Sequence, residues 1–157
     1  MEREPMQVLF LCTGNSARSQ IAEALLRRMS QGRIEVFRAG SLPRAEIHPL
    51  ARAAVRDLFG LSVEGQYPKA LEGFLGQHLD FVISVCDRAD ASCPVFSGDT
   101  ERIHWSSEDP AAVEGDEEKK RRASEQTARD MASRIRLWMS LPAVASRISA
   151  GSGARVV

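Results

Sequence analysis

No apolar run in these 157 residues approaches the ~20 needed to span a membrane. The opening MEREPMQ is charged and lacks the apolar stretch of a secretory signal. Net charge is absent as well: 21 Lys and Arg are matched by 21 Asp and Glu. That balance excludes a protein that holds nucleic acid or an anionic membrane by bulk charge. Cysteine is scarce, with three residues and no C-x2-C pair, and His48, His78 and His104 do not fall at finger spacings. A zinc centre is therefore not expected, and no metal site is assigned. There is also no G-x4-G-K-[ST] loop of the Walker type. These absences leave a cytoplasmic protein with neither nucleic acid nor membrane as partner. In a reducing compartment, Cys12, Cys86 and Cys93 are not structural disulfides. They are buried thiols, ligands or reactive groups.

What is present is an alternation of two periodicities. QVLFLC at 7–12 is a continuous apolar run, as expected of a strand buried on both faces. From Ser16 to Met29 the pattern turns helical, with Ile21, Ala22, Leu25, Leu26 and Met29 on one face and Gly32 as the stop. IEVFRA at 34–39 predicts a second strand, 50–59 a helix ended by Gly60, and 68–76 a short helix. DFVISVC at 80–86 predicts a third strand and ERIHW at 101–105 a shorter fourth. A long helix is expected from Asp116 to about Ser140, with Ala128, Met131, Ile135 and Trp138 as its apolar stripe and Pro142 as its limit. Trp138 and Met131 read as core, Trp105 as packing at a strand end. The small, polar SRISAGSGARVV reads as a loose tail. The expected organisation is one domain over 1–140 and a C-terminal tail over 141–157, as a monomer. Alternating strands and helices predict an α/β, single-domain three-layer sandwich with a four-stranded parallel sheet of order 2-1-3-4. Ligands bind beyond the strands' carboxyl ends at the switch point between strands 1 and 3. Cys12 ends the first of these and Cys86 the third, on neighbours ~4.8 Å apart.

Cys12-Thr13-Gly14-Asn15-Ser16-Ala17-Arg18 has the form C-x5-R between a strand and a helix. Such a loop can turn its backbone N–H groups inward as a nest for an anion. The helix start adds unpaired N–H groups and the positive dipole end. Gly14 permits backbone conformations other residues resist. Arg18 offers a two-pronged fork to two oxygens of a tetrahedral anion. The same field holds Cys12 as a thiolate, with its ionisation moved below the ordinary thiol range. Residues 13–18 are thus the expected oxyanion-binding set.

Two further motifs join it. Cys86 and Cys93 are seven positions apart. On a helix that spans ~10.5 Å, beyond the ~7 Å limit between Cα atoms of a disulfide. A bond between them requires the segment to loop or unwind, which Asp87, Asp90, Ser92 and Pro94 suit. Two thiols at strand tips and a third on a loop fit a thiol–disulfide relay. Later, Asp109 precedes Pro110, which biases it to extended backbone. A carboxylic acid at that sheet edge can protonate a departing oxygen. Glu108 is the fallback.

FLCTGNSARSQIAEALL resembles the phosphate-binding loop of the low-molecular-weight protein tyrosine phosphatase fold, and within it the thioredoxin-coupled arsenate reductases. The resemblance runs from residue 7 to about 139. It implies that Asn15 braces the loop, Ser19 hydrogen-bonds the cysteine thiolate and Asp109 is the general acid. It also implies that Cys12, Cys86 and Cys93 form the relay, with thioredoxin or another thiol reductant as partner and no bound cofactor. Ala17 stands where some relatives carry another cysteine. AAV follows Asp109-Pro110 where phosphatases commonly have aromatics, and RSQ replaces their usual RSP. Both departures lean towards arsenate as substrate. Some relatives hold a potassium ion under the loop with Asn, Glu, Ser and Asp groups. Here Asn15 and Glu23 remain, but Arg38 and Lys69 take the other positions, so a fixed cation from Lys69 is expected instead of the ion. The alternatives are a phosphatase using Cys12, Arg18 and Asp109, and a non-enzymatic anion or redox sensor. The acid–base run at 115–122 reads as helix-surface pairs, Asp116, Glu117 and Glu118 lying four residues ahead of Lys120, Arg121 and Arg122.

Overall fold

The structure, a computed structural model, describes residues 5–12, 18–40, 49–61, 78–85, 100–105 and 113–152, with backbone alone at 12, 40 and 149–152. Strand β1 (Met6–Cys12) leads to helix α1 (Arg18–Met29), strand β2 (Ile34–Gly40) and helix α2 (Pro49–Phe59). Strands β3 (Phe81–Ser84) and β4 (Glu101–His104) follow, then helices α3 (Glu117–Ser140) and α4 (Pro142–Ser152). The strands form one parallel sheet in the order β2-β1-β3-β4, the order that the alternating pattern predicts. The expected helix over 68–76 lies outside the described residues.

β1 is central, and its uninterrupted hydrophobicity follows from burial on both faces. Val8 and Phe10 join one core cluster with residues of all four helices, Ile34, Val36, Phe81 and Ile83. Leu9 and Leu11 join a second cluster with Ala39, Leu79 and Val82. These opposite assignments follow from the two-residue strand period. At the sheet margin β4 exposes Glu101, Arg102 and His104, charged and polar groups that discourage pairing with another edge. α2 stops where Gly60 takes the left-handed conformation at φ 66°, and beyond α1 both Gln31 at φ 55° and Gly32 at φ 75° take it.

Asp116 stands ahead of α3 in extended backbone, and its Oδ1 accepts a hydrogen bond from the Lys119 N–H at 2.8 Å. That cap corrects part of the expected surface pairing. Asp116 serves the helix end, and Arg121 reaches Glu118 and Glu125 at 2.5 and 2.8 Å, while Arg122 reaches Glu118 at 3.2 Å. Hydrogen bonding from Arg121 holds the Glu118 carboxyl below its ordinary range. The two side chains are 45% and 49% exposed, so screening leaves the pair little weight. What it contributes is present above the ordinary carboxylate range and fades as pH falls through the lowered value. The buried side of α3 carries Ala128, Met131, Ile135 and Trp138. Trp138 meets Phe81 edge-on at 5.3 Å between ring centroids and Trp105 at 6.5 Å.

Over the described residues 142–152 the expected loose tail is a helix instead; residues 153–157 lie outside the described residues. Leu141 is extended and ends α3, its N–H donating to the Trp138 carbonyl, and Pro142 then opens α4, whose first residue needs no N–H donor. Val144 and Ile148, four residues apart, enter the core at 4% and 7% exposure. Arg147 is tied to Asp80 at 2.6 Å and lies over the Phe81 ring. Small residues made this segment look featureless, although two apolar side chains at helical spacing suffice to dock it. Ile148→Ala is expected to lower stability by about 2 kcal/mol, read as a reduced denaturation midpoint with unchanged slope. An unmoved midpoint would show that α4 is not part of the cooperative unit.

Candidate functional site

In a parallel sheet all strands deliver their carboxyl ends to one edge. Here β1 ends at Cys12, and only residues 13–17 separate it from α1. The beginning of α1, with the positive end of its dipole, therefore stands at that same edge. β3 arrives alongside: the Val85 N–H donates to the Leu11 carbonyl at 2.8 Å. Leu11 immediately precedes Cys12 and Val85 immediately precedes Cys86. The Trp105 N–H donates in turn to the Ser84 carbonyl at 2.8 Å, bringing β4 to the same level.

Arg18 is the first residue of α1 and is 4% exposed. Its Nη1 donates to the Val85 carbonyl at 3.4 Å. This buried guanidinium leans on the residue that follows β3 and is held at the sheet edge. Ser19, directly after it, is also fully buried. Among the remaining sequence-derived site residues, Cys12 is described at the backbone, as the last residue of β1 paired in register with Gly40. Thr13, Gly14, Asn15, Ser16, Ala17, Cys86, Cys93 and Asp109 lie outside the described residues.

Behind the helix start runs a buried polar network. Glu23 on α1 has no exposed surface, and Arg38 on β2 is 5% exposed. Arg38 Nε lies 2.6 Å from Glu23 Oε2, and its Nη1 donates to Glu23 Oε1 at 3.1 Å. Arg38 Nε also donates to Gln20 Oε1 at 3.3 Å. Arg27 Nη2 reaches Glu23 Oε1 at 2.7 Å and donates to the Val36 carbonyl at 3.1 Å. The Glu23 carboxylate already faces two guanidinium groups, so among the described residues this cluster does not fit the monovalent metal ion that the resemblance raised; Asn15 lies outside them. Lys69, the expected substitute cation, lies outside the described residues. Among the described residues no cluster of three or more His, Cys, Asp and Glu is arranged to hold a metal, and no helix is long and apolar enough to cross a membrane.

Sequence reasoning did not find the Glu23–Arg38 pair as such. Its signal was there: Arg38 shares the strand parity of Ile34 and Val36, both core residues, and a charge at a core position requires a partner. The Ser84 and His104 pair was missed too. Ser84 Oγ and His104 Nδ1 are 2.9 Å apart across β3 and β4, a contact that depends on strand register.

The profile of the family described as low molecular weight phosphotyrosine protein phosphatase matches residues 7–136. An arsenate reductase of Halalkalibacterium halodurans is 34% identical over 113 residues, which are 72% of this chain and 80% of that protein. In space, the Corynebacterium glutamicum thioredoxin-dependent arsenate reductase superposes with a TM-score of 0.68 at 31% identity. The match covers 89% of this chain and 63% of that one, so this chain spans less than two thirds of that protein's length. An arsenate reductase in the phosphate-binding state superposes with a TM-score of 0.68 at 25% identity, covering 86% of this chain and 97% of that one.

Proposed function

The chain belongs to the low-molecular-weight phosphotyrosine protein phosphatase family, and within it we propose that this protein reduces arsenate to arsenite with three of its own thiols. Arsenate, a tetrahedral oxyanion, is held by the N–H groups of residues 13–18 and clamped by Arg18. The Cys12 thiolate attacks arsenic, and Asp109 gives a proton to the departing oxygen, which leaves as water. The Cys86 thiolate then attacks the Cys12 sulfur. The Cys12–As bond breaks, its electron pair passes to arsenic, and arsenite departs while a Cys12–Cys86 disulfide forms. Cys93 attacks Cys86, releasing the Cys12 thiolate and leaving a Cys86–Cys93 disulfide. An external dithiol, thioredoxin in this reading, reduces that bond by accepting it as its own disulfide. A reducing cytoplasm supplies such a dithiol.

The observation that carries this reading is the hydrogen bond between Leu11 and Val85. It holds together the backbones that run directly into Cys12 and Cys86, and Arg18 leans on the same Val85 carbonyl. A hydrolytic enzyme needs only Cys12, Arg18 and Asp109 and has no use for a thiol beside the nucleophile. The names of the relatives point the same way. The test is arsenate-dependent NADPH oxidation coupled through thioredoxin and thioredoxin reductase. Sustained oxidation that stops without arsenate is expected. Its absence, alongside brisk hydrolysis of an aryl phosphate, would make the protein a phosphatase.

Arg18→Ala is expected to lower kcat/KM for arsenate by ~10²–10³-fold, the range for loss of one buried donor to a developing oxyanion. Arg18→Lys is expected to recover only part of this, because an ammonium keeps the charge but not the planar fork. Equal activity of the arginine and lysine forms in steady-state kinetics would show that charge alone is used.

A further inference from the structure

A carboxylate without solvent access is costly unless a cation accompanies it. Glu23 is such a group, with zero side-chain exposure. Its cation comes from the protein itself, and from a particular place. Arg38 stands opposite Phe10 in the β1–β2 register, two residues before Cys12 pairs with Gly40. Its guanidinium spans Glu23 and Gln20 at once. Gln20 lies in the opening turn of α1, two residues after Arg18. One buried fork from β2 thus fixes both the height and the rotation of the helix start that carries Arg18. A dissolved monovalent ion could neutralise Glu23 equally well, but it would exchange with the medium and add no covalent link to β2.

We infer that Arg38 is a tethered counter-cation for Glu23 and a positioning residue for the start of α1, so that oxyanion binding here is independent of any monovalent metal ion. The inference rests on the oxyanion-binding reading above. It assigns the place of the cation to Arg38. Because Arg38 Nε lies 2.6 Å from Glu23 Oε2 and guanidinium groups of Arg38 and Arg27 reach Oε1, both carboxylate oxygens already face a fixed positive charge, and potassium has little to add. Removing the Arg38 guanidinium leaves Glu23 with Arg27 alone, whose side chain is 57% exposed; this should open the inner carboxylate oxygen and create a dependence that the natural protein lacks.

The experiment uses the full chain in choline chloride and in potassium chloride at equal ionic strength. Inorganic phosphate affinity is measured by calorimetry and the thermal midpoint by circular dichroism. The natural protein should show the same midpoint in both salts and a phosphate Kd that changes less than about twofold. Arg38→Ser should bind phosphate about tenfold more weakly in choline, a typical coupling between sites. Potassium should recover at least part of that loss and raise the variant's midpoint, as any ligand of the folded state does. A merely structural arginine would not make the variant responsive to potassium. Potassium-dependent affinity or stability in the natural protein overturns the assignment. So does an Arg38→Ser protein that binds phosphate in choline as tightly as the natural one. Should Arg38→Ser not fold, Arg38→Lys keeps a tethered charge and should remain indifferent to potassium, and a potassium response from it overturns the inference. If no form bound phosphate, the oxyanion reading would fall. The midpoints would still decide the cation question: a natural protein unmoved and Arg38→Ser raised by potassium uphold the tethered cation.

Discussion

Cys12→Ser is expected to lower arsenate turnover by ~10⁴-fold or more, the scale on which loss of a covalent nucleophile is felt. In the proposed reading sulfur acts because the N–H groups of 13–17, the start of α1 and Arg18 would together favour a negative charge at the end of β1. A serine hydroxyl ionises far too weakly for the same field to make it a nucleophile at neutral pH. Oxyanion affinity should change little, since the amides of 13–17 and the Arg18 fork remain. The coupled NADPH assay and phosphate calorimetry on the same preparation separate these effects. Arsenate reduction within tenfold of the natural rate in Cys12→Ser would place the chemistry on another group.

Cys93→Ser is expected to leave one turnover and abolish the rest. The first attack on arsenate and the displacement by Cys86 need no third thiol. About one arsenite per chain should therefore appear as a burst. The protein then rests as the Cys12–Cys86 disulfide, without the thiol that would carry oxidation outward, and thioredoxin should not restore cycling. Hydrolysis of an aryl phosphate requires no resolving thiol and should continue. Rapid-quench arsenite measurement beside steady-state NADPH oxidation distinguishes the two phases. Steady cycling of Cys93→Ser with thioredoxin as sole reductant would remove Cys93 from the route.

Local pattern alone announced most of the scaffold. The apolar run over 7–12 became the doubly buried centre of the sheet. Gly60 stopped α2, Gly32 fell just beyond the end of α1, and the 128–131–135–138 stripe became the buried side of α3. These are contacts of short range or strong periodicity, which a window of a dozen residues contains. The tail was misjudged because its packing depends on where β3 and the core lie, not on its own composition. Asp116 was expected as an i,i+4 partner of Lys120, and the position of the helix start made it a cap instead.

From the order of residues one can read that a cysteine closes a strand, that an arginine opens the next helix, and that the sheet is parallel with the order 2-1-3-4. Composition and periodicity suffice for this because each is a property of neighbours along the chain. Which buried charges meet was decided only by the folded arrangement. Arg38 reaches Glu23 and Gln20 because β2 lies in register beneath α1, and Arg18 leans on Val85 because β3 crosses over to lie beside β1. A guanidinium is long and can point many ways, and burial against a particular carboxylate or carbonyl selects one of them.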